Sequence, residues 1–248
     1  MGTTQEKVKK AYNALIKSER DPRDSWDYIL SKMQTDYRLL SKINIRGKTI
    51  LNIGCSYPID EIYFASKISK WVSIDISPET IKKARVLCDY ELPRHLSQKI
   101  SFIEADASKL PFDDESFDIV VSFSTIDHIP GKNKRESVCK EIFRVTKKGG
   151  YAIVTVPNKL SIFYYMSSKH KSKDTSSFWY EHCFTPIELK KLLQKSGFEI
   201  VEFTSTLSGR TGARGRIIGI IVGGIEKYIL QYFGRRMGYL CYKSKSRL

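Results

Sequence analysis

No stretch of this 248-residue chain reaches the roughly 18 uninterrupted apolar residues that a membrane-spanning helix requires. The opening MGTTQEKVKK lacks the apolar core of a secretory leader, and Glu6 stands where a myristoylation signal needs Ser or Thr. The five cysteines, Cys55, Cys88, Cys139, Cys183 and Cys241, are scattered singly, with no CxxC pair and no cysteine–histidine spacing suited to zinc. A reduced, cytoplasmic protein without a metal centre is therefore expected. Internal repeats and low-complexity tracts are also missing. Acidic residues run short at the two ends: residues 1–50 hold 11 Lys or Arg against 6 Asp or Glu, and 208–248 hold 9 against 1. The middle, 51–157, is balanced at 15 against 15. The net charge of +15 is thus carried mainly by the termini, which suit an anionic partner, either nucleic acid or an anionic membrane surface.

What the chain does hold is enough apolar surface for a core, at 41% hydrophobic and 12% aromatic residues. Its length fits one domain spanning 1–248. Within it, 1–48 reads as a helical cap, with Val8, Tyr12, Leu15 and Ile16 on one helix face and Trp26, Ile29, Leu30, Met33, Tyr37 and Leu40 on a second. From Thr49 the period changes. The apolar runs TILNI, WVSID, ISFIEA, FDIVVSF and YAIVTV alternate with helical stretches, the pattern of a parallel sheet covered on both faces. A doubly wound α/β core over 49–157 is predicted. Residues 158–185 are aromatic and rich in Ser and Lys without a clean period, as a substrate lid would be. The rest, 186–248, gives a helix, two strands and an insertion at 210–238.

Three strand ends carry the candidate chemistry. Gly54 follows the first strand, where such folds hold a nucleotide-like ligand against backbone N–H groups. Asp75 ends the second strand 21 positions later, close to the offset at which a carboxylate meets ribose hydroxyls. Asp106 follows the third strand on the same edge of the sheet. The glycine loop LNIGCSYP is incomplete, with Ser56 and Pro58 where glycines would repeat, so an ordinary tight turn is the alternative there.

With TILNIGCS, VSIDISPETIKKAR, FIEADASKLPFDDESFDIVVS, EIFRVTKKGGYAIVTVPN and FTPIELKKLLQKSGFEIVE, residues 49–205 resemble the class I S-adenosylmethionine-dependent methyltransferases, particularly the ubiquinone and menaquinone branch. The resemblance implies a Rossmann-like sheet of seven strands whose last, antiparallel strand is GYLCYKS. It implies S-adenosyl-L-methionine as cofactor and S-adenosyl-L-homocysteine as product. Asn52, Gly54, Cys55 and Ser56 would then pass the methionine part, Asp75 would bind the ribose, and Ile76 would lie on adenine. Asp106 with the Ala107 N–H would read the adenine edge, and Ser122 and Phe123 would line the methionine end by backbone contacts. Asn52 replaces the acidic residue usual in the first motif, and Ser56 its second glycine.

Methyl transfer from a sulfonium asks mainly for positioning, and sometimes for a base. His128, in STIDHIP after the fourth strand, is the candidate base or substrate contact, since an imidazole accepts a proton near neutral pH. Asp127 is a second candidate, and His182 a third that could equally brace its loop. The insertion reads as an apolar helix over 217–233, preceded by Arg210, Arg214 and Arg216 and followed by Arg235 and Arg236. That pattern suits a membrane interface or the roof of a lipophilic pocket, and equally a buried helix or dimer contact. The expected function is methyl transfer to a small lipophilic or membrane-associated acceptor, with peripheral membrane location. The alternatives are an RNA methyltransferase using the basic ends and a weakly active cofactor-binding scaffold.

Overall fold

A computed structural model describes residues 32–161, 181–206 and 230–245. Seven strands form one sheet: β1 (Thr49–Ile53), β2 (Lys70–Asp75), β3 (Ile100–Glu104), β4 (Phe117–Phe123), β5 (Thr146–Pro157), β6 (Glu199–Thr206) and β7 (Arg236–Tyr242). They lie in the order β3-β2-β1-β4-β5-β7-β6. β1 to β5 pair in parallel, whereas β7 runs antiparallel between β5 and β6. The α/β alternation and the final antiparallel strand agree with the sequence pattern. The helices are α1 (Arg38–Leu40), α2 (Ile59–Phe64), α3 (Pro78–Glu91), α4 (Arg94–Ser97), α5 (Lys132–Val145) and α6 (Pro186–Lys195), with a π-helical turn at Met33–Tyr37 running into α1.

The apolar runs are near-continuous because both faces of the central strands are covered. Leu51, Ile53, Val120, Ala152 and Val154 point to one face and meet Val138, Cys139 and Ile142 of α5 and Leu189 and Leu193 of α6. Their neighbours Ile50, Ile119, Val121 and Ile153 point to the other, against Leu39 and Leu40 of α1 and Phe64 of α2. This period-2 division is what a two-sided strand imposes. Ser77 and Thr185 cap α3 and α6 by accepting the N–H of Thr80 (3.1 Å) and Glu188 (3.2 Å), each followed by a proline in the first turn.

Arg144 of α5 accounts for the conspicuous DASKLPFDDESFD and RVTKKGG runs. Its guanidinium donates to the carbonyls of Leu110 (3.2 Å) and Phe112 (2.7 Å) and pairs with Asp114 and Glu141 (2.8 and 2.7 Å). The loop after β3 is thereby latched onto α5, with Asp106 and Ala107 at its head. No helix among the described residues is long and apolar enough to cross a membrane. The stretches 1–31, 162–180 and 207–229 lie outside the described residues, and with them the first predicted helix and most of the 217–233 helix. Of that insertion, Leu230–Phe233 is a 3-10 turn and Arg236 opens β7.

Candidate active site

A cavity of about 300 Å³ opens at the carboxyl ends of β1, β2 and β4. It is lined by Asn52, Gly54, Cys55, Ser56, Asp75, Ile76, Asp106, Ala107, Phe123 and His128, which were separate points along the sequence. The backbone of the β1 loop explains its composition. Gly54 sits at φ +77°, and a Cβ there would lie 2.3 Å from Thr125 Oγ1, so no side chain fits. Ser56 occupies the left-handed region as well, at φ +47°, although it is not glycine. Such backbone costs a non-glycine residue roughly 1–2 kcal/mol. Ser124, across the cavity, is held similarly at φ +51°.

Asp75 is nearly buried, and its two carboxylate oxygens are aimed by the N–H groups of Ser77 (3.0 Å) and Ser56 (3.2 Å). Burial pushes its pKa up, and the backbone hydrogen bonds oppose that rise. Asp106 is braced locally too: Oδ1 accepts from the Ser108 N–H and hydroxyl (2.9 and 2.8 Å), and Oδ2 pairs with Lys134 at 2.9 Å. The Lys134 ammonium at the cavity wall was not foreseen. Asn52, 1% exposed, gives its Nδ2–H to Glu61 Oε1 at 2.8 Å, while its Oδ1 is buried without a partner. The Cys55 thiol is pushed well up, first by burial and then by Asp75 and Glu61, and is no nucleophile.

Three predicted residues, Ser122, His182 and Asp127, do not line the cavity. Ser122, expected there through its backbone, is fully buried within β4 and is not among the lining residues, whereas its neighbour Phe123 is. Ser124 and Thr125 stand at the wall instead. His182 is also outside it: the ring pairs with Glu188 at 2.7 Å and stacks edge-on against Phe184, and the residue's backbone N–H donates to the Asp127 carbonyl at 2.7 Å. It braces a loop. His128 does face the cavity, with Nε2 3.3 Å from Asp127 Oδ2. Asp127 is fully buried behind it, and burial pushes its carboxyl up.

The remaining wall was invisible in the sequence. Lys32, Asp60 and Arg236 line the cavity and belong to one buried network. Lys32 pairs with Asp60 (2.9 Å) and Asp36 (3.4 Å), with its ammonium 4.9 Å from the Phe123 ring centre. Tyr37 donates to Asp60 at 2.8 Å. Arg236 pairs with Asp36 at 2.9 Å, and Thr155 donates to the same carboxylate at 2.8 Å. Arg236 is therefore no basic rim of a membrane-facing helix: its side chain is 11% exposed and tied into the core. No cluster suited to a metal ion occurs among the described residues.

Residues 51–154 match the family model described as a methyltransferase domain. Over 108 residues the chain is 35% identical to tocopherol O-methyltransferase of Arabidopsis thaliana, covering 43% of this chain and 29% of that one. Over 129 residues it is 30% identical to the phthiotriol/phenolphthiotriol dimycocerosates methyltransferase of Mycobacterium leprae, covering 50% and 44%. The chain thus spans less than half the length of either curated relative. In fold it is similar to a chain of the complex between the Haloferax volcanii Trm112 methyltransferase activator and a methyltransferase, with TM-score 0.69, 19% identity and coverage of 94% and 97%. A SAM-dependent methyltransferase of Methanosarcina mazei gives TM-score 0.63 at 24% identity, covering 84% of this chain and 98% of that one.

Proposed function

We propose that this chain, whose residues 51–154 match a methyltransferase domain, is a class I S-adenosylmethionine-dependent methyltransferase that methylates a small, lipophilic acceptor. The observation that carries the reading is the convergence of Asn52, Gly54, Asp75 and Asp106, from three adjacent strand ends, on one cavity. These residues fit the cofactor. A buried, aimed carboxylate at Asp75 suits a pair of ribose hydroxyls. The orphaned Asn52 Oδ1 is an acceptor awaiting a donor. Asp106 and Ala107, held by the Arg144 latch, would meet the adenine edge, with Ile76 against its face.

The bound cofactor supplies an electrophilic methyl on a sulfonium, a leaving group that needs no protonation. What is left to the protein is to hold the acceptor in line, exclude water and take up one proton. His128 is suited to the last task, because it lines the cavity, with the buried Asp127 carboxylate 3.3 Å behind its Nε2. Phe123, Ile129, Pro130 and Tyr57 give the same wall an apolar character. Asn158, just after β5, donates to the Tyr232 and Gly234 carbonyls at 2.8 Å, tying the end of β5 to the approach to β7. Where the acceptor is membrane-borne, the reaction is proposed to take place at a membrane surface. A lipophilic acceptor agrees with the names of the two curated relatives.

The test is methyl-labelled S-adenosylmethionine with a cell extract, partitioned into lipid, small-molecule and RNA fractions. Label in the lipid fraction is expected; label in RNA would favour the basic termini as the substrate surface instead. His128→Ala should lower turnover by roughly two to four orders of magnitude and leave cofactor affinity unchanged.

A further inference from the structure

The first motif of this chain lacks its usual acid, yet a carboxylate stands directly behind the vacancy. Glu61, on α2, is 0% exposed. Its Oε1 accepts from Asn52 Nδ2 at 2.8 Å and from the Ser73 hydroxyl of β2. Its Oε2 is buried without a partner, and no cation among the described residues pairs with it. The carboxylate obliges Asn52 to turn its amide N–H₂ inward, because an ionised carboxylate only accepts. The carbonyl Oδ1 of Asn52 is thereby left at the cavity wall, also buried and also without a partner. Two orphaned acceptors in line, one anionic, form a site that lacks a cationic donor.

We infer that Glu61 is a positioning residue for the α-ammonium of the cofactor's methionine moiety, acting through Asn52. This rests on the cofactor reading above. Asn52 touches the ligand, while Glu61 fixes the amide's orientation and supplies the negative charge that Asn52 lacks. The groups facing Glu61 leave it as the one carboxylate free for this task. Asp60, its neighbour on α2, is committed to Lys32 and Tyr37. Asp75, aimed by the Ser56 and Ser77 N–H groups, is assigned to the ribose in the reading above. The Cys55 and Cys88 thiols are pushed up by burial and stay neutral. Burial, and next the Asp60 charge, push Glu61 itself up to about 7, so its charge is gained or lost within an accessible pH range.

Two ligands separate this role from a general one. S-adenosylhomocysteine carries the ammonium; 5′-methylthioadenosine keeps the adenosine and lacks the amino-acid end. By calorimetry at pH 8, Glu61→Gln should weaken S-adenosylhomocysteine roughly ten- to a hundredfold, the range for a hydrogen bond to a charged group. Its affinity for 5′-methylthioadenosine should stay within about twofold on the same grounds. The double variant Asn52→Asp with Glu61→Gln, which moves the charge onto β1, should recover most of the loss. In the wild type the preference for S-adenosylhomocysteine should shrink as pH falls from 8 to 5.5, and in Glu61→Gln it should not change. An unchanged preference in Glu61→Gln, an equal loss of both ligands, or failure of both variants to fold would each overturn the role. Wild type that binds neither ligand would instead overturn the cofactor reading on which it rests.

Discussion

The two halves of the cavity are built in opposite ways. At the β2 and β3 ends, each acid takes a hydrogen bond from its own loop, Asp75 from the Ser77 N–H and Asp106 from Ser108, and one more from a neighbouring element, Ser56 and Lys134 respectively. At the far wall, Asp36 is held by Thr155 and Arg236, 119 and 200 residues away. The first half is aimed by turns and loops at the cavity edge and faces a ligand; the second knits the N-terminal segment to β5 and β7. A carboxylate of the first kind should therefore matter to binding, and one of the second kind to folding.

The sharpest way to break that contrast is Asp36→Ala. Removing it leaves Arg236 buried without its ion pair, and breaking a buried pair from one side costs about 3–5 kcal/mol. Denaturant unfolding should show a loss of that size. A loss below about 1 kcal/mol, the value of a surface pair, would erase the distinction between the two walls.

The same contrast decides what could be read from the sequence. Gly54, Asp75 and Asp106 were legible because strand–helix alternation puts consecutive strand ends on one edge. Arg236 was legible only as one of several arginines in a basic tail. Only the register of β7 between β5 and β6, with Arg236 opposite Pro157 and Thr206, sets it beside Asp36. Lys32 gave no signal either, as one lysine in an amphipathic helix. His128 and His182 look alike as loop histidines; the first faces the cavity, and the second is spent on Glu188 and Phe184. The Ser56 departure was plain in the sequence, but that its backbone keeps a glycine-like φ was not. Ser122 was expected at the wall through its backbone, but that the cavity meets β4 from Phe123 onward could not be read from the sequence.

Glu61 sharpens the comparison, as a buried acid whose partners are neither adjacent nor charged. In the unfolded chain it ionises near its ordinary value of 4.5, and in the folded protein only near 7. Between those values the folded state holds a proton that the unfolded state has lost, so stability falls as pH rises through that window and levels off above it. The span corresponds to roughly 3 kcal/mol. Glu61→Gln should flatten the pH 4.5–7 slope of unfolding free energy; a slope identical to wild type would show that Glu61 is ionised throughout.

The most direct test of the cofactor site is a calorimetric titration of S-adenosylmethionine into the wild type and Asp75→Ala. The wild type should bind one equivalent, and the variant, with unchanged unfolding free energy, should bind more weakly by about 1.5–3 kcal/mol, as expected on losing hydrogen bonds to a charged group. Equal affinity in the two proteins, or no binding by the wild type, would contradict it.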